Sequence, residues 1–307
     1  MKRIVLSLTI IAALFGAKLH AKEKLQLLAS IKPIHALVSA VGGELANVQQ
    51  IIPNFASPHH YSLRPSDIRK LNKADLVFRI DPQFERFLEK SLRNIRSDKI
   101  IVLSKTPALK LLEANAAHGH GDAEHHDDHG ESGHEALDFH LWLNPSNAIV
   151  MATKIRDSLS TISPDNAEAF QANTEQLIEQ IREQDQQIQT QLKAVNESPF
   201  LVMHDAWQYF TEHYGLNQLG TISAQERLSP SAKAISEART TLKRTNAQCL
   251  VTEINLKQRV LRTLVEGLAV KIVEIDPLGR EIPNTPQAYP QLLQYTADKL
   301  GSCLKQK

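Results

Sequence analysis

From Leu25 onward, short apolar runs alternate with amphipathic stretches. Leu25–Ser30, Val48–Ile52, Leu76–Ile80 and Ile100–Leu103 have the length and content of strands. Helices are predicted to begin near Pro33, Pro65 and Pro82, because a proline in the first helical turn gives up an N–H that has no partner there. Ser163-Pro164 then opens a long polar helix running to about Val195, with Ser163 as cap and Asp165 and Glu168 favouring the N-terminal dipole. Its thin apolar stripe, Leu177, Ile181, Ile188 and Leu192, suits a strut across two lobes better than a core helix. After Pro199 the alternation resumes, with strands expected at Phe200–Met203, Gln218–Ile222, Cys249–Ile254 and Lys271–Ile275. Helices are expected over Ala206–His213, Ser231–Arg244, Lys257–Leu268 and Pro286–Leu304. Strands alternating with helices predict an α/β protein with parallel sheets. The expected plan is an N-terminal lobe over 22–162, a linking helix over 163–195 and a C-terminal lobe over 196–307, with no sequence repeat between the lobes.

The start of the chain stands apart. Met1 to Ala21 has a short basic start (Lys2, Arg3), an apolar run from Ile4 to Gly16 and a small residue, Ala21, at a plausible cleavage point. That run is about 13 residues, short of the roughly 20 needed to span a bilayer. Residues 1–21 therefore read as a cleaved secretory signal, and the mature chain as soluble and exported. Losing Lys2, Arg3 and Lys18 takes the formal charge from +1 to −2. With 35 Lys+Arg against 34 Asp+Glu there is no basic excess for nonspecific nucleic-acid binding. No Cys lies near the signal to carry a lipid, so no membrane anchor is expected, and in a cell with an outer membrane the protein is free in the periplasm.

In an oxidising compartment the only two cysteines, Cys249 and Cys303, favour a disulfide over two buried thiols. Closing a loop of about 55 residues would stabilise the fold by about 4 kcal/mol in the chain-entropy model. The bridge would pin the end of the last helix to the second sheet.

The thirteen histidines are unevenly placed. Between Lys110 and Lys154 there is no Lys or Arg, and within that gap residues 116–137 hold His118, His120, His125, His126, His129 and His134 among six carboxylates and four glycines. Such a segment is expected to be a mobile surface loop. Imidazoles near carboxylates suit zinc, copper and nickel, so several weak, exchangeable metal sites are expected there. His59 and His60 follow a Pro58 turn, His140 lies just past the acidic loop, and His204 directly follows a predicted strand, as does Asp276. Ligands in α/β sheets gather at the carboxyl edge of the strands, where His204 and Asp276 stand.

The quoted segments closely resemble one known family, the periplasmic zinc-binding proteins of ABC importers of the ZnuA type. The resemblance covers essentially the whole mature chain. Its most specific parts are His59-His60-Tyr61-Ser62-Leu63-Arg64-Pro65-Ser66-Asp67, Phe139-His140-Leu141-Trp142-Leu143, Val202-Met203-His204-Asp205-Ala206 and Asp276-Pro277-Leu278-Gly279. It implies zinc in a cleft between two lobes, held by His59, His140 and His204. Three neutral imidazoles favour zinc over manganese or magnesium, which prefer more oxygen donors. Some relatives have a ligating Glu where this chain has Pro58, so the fourth position falls to Asp276, to water, or to His60 or a loop histidine. Asp276 is alternatively a second-sphere residue fixing a ligand tautomer. The resemblance further implies a monomer that docks on a membrane permease driven by a separate ATPase subunit, with the acidic loop as an antenna or an occupancy sensor.

Two other readings start from the same residues. A zinc hydrolase also uses three His and an open position, but no His-Glu-x-x-His run, Gly-x-Ser-x-Gly elbow or phosphate-binding glycine loop is present, and Asp205 and Glu253 read more readily as a cap or a second-sphere group than as a base. The chain is therefore not expected to be an enzyme. In a zinc storage or chaperone protein the loop would be the working part, and most bound zinc would survive replacement of His59, His140 and His204.

Overall fold

In the computed structural model, which describes residues 23–54, 56–58, 61–114, 137–223, 231–253 and 258–305, the apolar runs become eight short parallel strands in two sheets. The N-terminal sheet comprises β1 (Leu25–Ala29), β2 (Ala46–Gln50), β3 (Leu76–Arg79) and β4 (Ile100–Val102) in the order β2-β1-β3-β4. The C-terminal sheet comprises β5 (Phe200–His204), β6 (Gln218–Ser223), β7 (Cys249–Thr252) and β8 (Lys271–Glu274) in the order β6-β5-β7-β8. The two lobes thus share one topology without a shared sequence. In both, the first strand lies inside the sheet and the second at its edge, so the chain reverses direction across the sheet and leaves a crevice at the strand ends.

The helices are α1 (Lys32–Gly42), α2 (Pro65–Lys73), α3 (Glu89–Leu92), α4 (Pro145–Ile162), α5 (Ala167–Leu192), α6 (Gln208–Tyr214), α7 (Ala232–Thr245), α8 (Gln258–Val265) and α9 (Ala288–Leu304). Long α5 is the predicted strut. It buries Phe170, Thr174, Leu177, Ile181, Ile188 and Leu192 and packs on α1 and α4 of one lobe and α9 of the other. At roughly 1.5 Å per residue it is on the order of 39 Å long. Polar contacts fix it at both ends: Asn173 donates to the Val41 carbonyl at 3.0 Å, and Gln191 donates to Asp298 at 2.9 Å. Cys249 and Cys303 are joined, their Cα atoms 5.8 Å apart, so the start of β7 holds the end of α9 as expected.

Four local expectations change. β2 lies two residues earlier than its apolar content suggests. It is an edge strand with Asn47 and Gln49 facing solvent, while Ile51 and Ile52 are buried just beyond it, their N–H groups bonded to the Ala29 and Ser30 carbonyls. Pro82 starts a turn rather than a helix, because Glu85 folds back to accept the N–H groups of Ile80 and Asp81, both at 2.9 Å. The buried Glu85 also faces the guanidinium of Arg79. Helix α4 was not anticipated, although Asn144 caps it by accepting from Ser146 and Asn147, with Pro145 as first residue. Pro164–Asn166 form a 3-10 turn before α5, and the Ser163 hydroxyl accepts from the Asn166 side chain at 2.8 Å instead of capping the backbone.

Of the expected segments, residues 1–21, His59, His60 and all six loop histidines lie outside the described residues. The ends of the His-rich insertion are described. Glu113 and Leu137 form an antiparallel bridge, and the Asp138 N–H donates to the Leu112 carbonyl at 2.9 Å, so the insertion leaves and re-enters the lobe at one point.

Candidate metal centre

The parallel register of β5 and β7 pairs Phe200 with Cys249 and Val202 with Val251, an offset of 49. Continued to the carboxyl edge, that offset sets His204 beside Glu253, and the His204 Nδ1 lies 2.5 Å from Glu253 Oε1. Facing it from the segment that follows the insertion is His140. Its own N–H donates to Asp138 Oδ1 at 2.9 Å, and its Nδ1 lies 2.7 Å from the same oxygen. The two imidazole rings sit 5.3 Å apart, centre to centre, across the gap between the lobes.

Each ring is thus oriented through Nδ1 by a carboxylate. The hydrogen-bond network assigns the proton to Nδ1 and leaves Nε2, on the opposite edge of the ring, as the lone-pair nitrogen. Neutral imidazole in that tautomer is a strong ligand for a borderline divalent cation. The backing is rigid. Phe84 stacks edge-on against His140 at 5.8 Å, and the fully buried Trp142 ring lies 5.2 Å from it. Tyr209 donates to the Asp138 carbonyl at 2.9 Å and accepts the Leu112 N–H at 2.9 Å, fixing the His140 segment against α6.

His140 and His204 line one narrow cavity with Pro58, Trp142, Glu253, Pro277, Leu278 and Arg280. Its volume, about 10 Å³, is far below the roughly 300–1,000 Å³ typical of organic-ligand sites and is suited to a single ion. Pro58 brings the chain into this cavity immediately before His59. Beyond it, Tyr61 donates to Asp67 at 2.7 Å, and the same Asp67 oxygen accepts the Arg64 N–H at 2.9 Å, tying Tyr61 to the start of α2. Burial and that carboxylate push the Tyr61 hydroxyl up to about 12.

Asp276, just past β8, is buried, and its carboxylate is already engaged. Oδ1 accepts the Leu278 N–H at 3.0 Å, Oδ2 accepts the Arg280 N–H at 2.5 Å, and the Arg280 guanidinium lies 3.4 Å away. Burial raises its pKa, an effect that Arg280 and the two backbone donors oppose. It closes the turn that carries Pro277 to Arg280 into the cleft. That turn needs Gly279, whose φ of +63° is left-handed and where a side chain would press on Ile282 and Leu292.

Among the described residues no three His, Cys, Asp or Glu side chains converge on one point. They bring together His140 and His204, each with a carboxylate behind it, and hold Asp276 to the side. Sequence reasoning weighed Glu253 and missed Asp138, Phe84 and Arg280. The Asp-x-His spacing of Asp138 and His140 was a usable signal, whereas Phe84 and Arg280 carry none. His35 and His213 have structural partners: the Val48 carbonyl at 3.2 Å, and Asp185 of the linking helix at 2.8 Å.

The family model described as "ZnuA: Zinc-uptake complex component A periplasmic" matches residues 27–303. The high-affinity zinc uptake system protein ZnuA of Yersinia pestis is 32% identical over 286 residues, covering 90% of each chain. That of Brucella abortus is 31% identical over 329 residues, covering 98% of each. In fold, the chain is similar to a crystal structure of ZnuA (TM-score 0.76, 22% identity, 92% of this chain and 100% of that one). It is also similar to Zn(II)-bound AdcA from Streptococcus pneumoniae (TM-score 0.70, 24% identity, 90% of this chain and 58% of that one). The chain belongs to the ZnuA family, the periplasmic components of zinc-uptake complexes.

Proposed function

We propose that this chain captures Zn²⁺ in the cleft between its lobes through His59, His140 and His204 and delivers it to the membrane permease of an ABC importer with its ATPase subunit. The observation that carries the reading is the pair of imidazoles, one from each lobe, each backed at Nδ1 by a carboxylate, Asp138 or Glu253. His59 enters as the third ligand because Pro58 lines the same cavity. The engagement of Asp276 with two backbone N–H groups favours a supporting role for it over direct coordination. His60 has the same claim as before, as an alternative ligand only.

Residues 1–21 act as a cleaved export signal, and the mature chain works as a monomer. The six loop histidines bind further zinc weakly and separately, because the insertion is clipped to the lobe at Glu113 and Leu137. A solute-binding component needs no positioned base, and Glu253 is occupied in orienting His204. Calorimetric titration of a variant lacking residues 117–135, which spares that clip, tests the division. One tight zinc site is expected to remain while the weak ones disappear. Loss of the tight site would refute the cleft assignment.

A further inference from the structure

His140 belongs by sequence to the N-terminal lobe, yet side chains of the C-terminal lobe hold the chain on both sides of it. After it, Trp142 donates to the Pro277 carbonyl at 2.8 Å, and its own carbonyl accepts from Tyr289 of α9 at 2.6 Å. Before it, the tie to the C-terminal lobe is the hydroxyl of Tyr209. This residue is fully buried, and its hydroxyl donates to the Asp138 carbonyl and accepts the Leu112 N–H, both at 2.9 Å. The Asp138 N–H closes the triangle on the Leu112 carbonyl, also at 2.9 Å. Donor and acceptor of the phenol are thus both spent on the two feet of the insertion. Moving the hydroxyl would leave buried backbone groups unsatisfied, so the arrangement has little freedom.

We propose that Tyr209 is a positioning residue for zinc capture: carried by the helix that starts just past His204, its hydroxyl fixes Asp138 and, through it, the imidazole of His140. This inference rests on the zinc-capture reading above. The path between the two imidazoles is short. From His204 the chain runs through Ala206 and Trp207 into α6, whose second residue is Tyr209. From its hydroxyl one hydrogen bond reaches Asp138, whose carboxylate meets both the backbone N–H of His140 and its ring Nδ1, at 2.9 and 2.7 Å. The spacing of the rings, 5.3 Å between centres, is therefore governed from the same segment that carries His204. Without the hydroxyl, Asp138 and His140 still meet through their local turn. The C-terminal lobe, however, no longer fixes that turn from the Asp138 side, and a metal site depends on such support for its ligand geometry.

A double-mutant cycle, with zinc affinity of the mature protein read by chelator competition, tests this. Tyr209→Phe removes one oxygen and keeps the ring. It is expected to weaken zinc binding about tenfold, as the loss of one hydrogen bond would give. In an Asp138→Asn background the same change should cost little, because the carboxylate it positions is gone. In a Glu253→Gln background, which acts on the other imidazole, it should still cost about tenfold. NMR of the imidazole nitrogens in metal-free Tyr209→Phe adds a signature that a loss of stability alone does not give: mixed tautomers at His140, with His204 still protonated on Nδ1. A measurement on the wild-type chain covers the case of a variant that fails to fold. By reciprocity, zinc should slow hydrogen exchange at the Leu112 amide, the group the Tyr209 oxygen accepts. Unchanged affinity in Tyr209→Phe, an equal loss in the Asp138→Asn background, an unaltered His140 tautomer, or Leu112 exchange indifferent to zinc would overturn the role of Tyr209. Absence of tight zinc in the wild-type protein would instead overturn the zinc-capture reading itself.

Discussion

His204 and Glu253 are 49 residues apart in sequence and meet because adjacent parallel strands carry them to the same sheet edge in register. Asp138 and His140 meet through a local turn. The two imidazoles are therefore prepared by different means for the same condition, a proton fixed on Nδ1 and a lone pair on Nε2. Asp138→Asn and Glu253→Gln keep the shape and remove the charge. Each is expected to weaken zinc binding by about 10–100-fold in a chelator competition, with little change in thermal midpoint. Protonation competes with the metal for the same nitrogens, so zinc affinity should fall steeply below about pH 6 and level off above it, as a titration repeated across pH would show. His35, buried away from the cleft, is held below its ordinary pKa by burial and takes no part in that competition.

At the scale of elements, most of the fold was legible because the inner strands β1, β3, β5 and β7 are apolar and α1 and α2 carry a proline in their first turn. What misled were residues whose burial does not come from the ladder. Ile51 and Ile52 made β2 look two residues later than it is, and the return of Glu85 to the backbone turned Pro82 from a helix start into a turn. The histidines and Asp276 were readable as site candidates, since they stand at strand ends and segment ends. Their backing was only partly so, because strand register and side-chain packing join residues that sequence keeps apart. The turn from Asp276 to Arg280 depends on a left-handed Gly279, so Gly279→Ala is expected to cost about 1–2 kcal/mol in chemical denaturation. Replacing Cys249 and Cys303 together by Ser should cost about 4 kcal/mol in the same measurement while leaving zinc affinity nearly unchanged, because the bridge lies at the opposite end of β7 from Glu253.

Across the whole molecule, the lobes are tied close to the cleft. Trp142 donates to the Pro277 carbonyl at 2.8 Å, Tyr289 donates to the Trp142 carbonyl at 2.6 Å, and Asn54 donates to the Arg280 carbonyl at 3.0 Å. Lys32 reaches Asn284 at 3.0 Å, and α5 spans both lobes behind them. A frame held this way favours small tilts over wide hinge opening during capture and release. Trp142 sits at the centre of these ties with its ring against His140, so zinc should change the protein's fluorescence, and Trp142→Phe should remove most of the change. The central claim, one tight site built from both lobes, is tested most directly by metal analysis of the purified mature protein and its His59→Ala/His140→Ala/His204→Ala variant after dialysis against a moderate chelator. The account predicts one retained zinc per wild-type chain and none in the variant, although its loop histidines are intact. Retention of tightly held zinc by the triple variant would contradict it and move the working site to the loop.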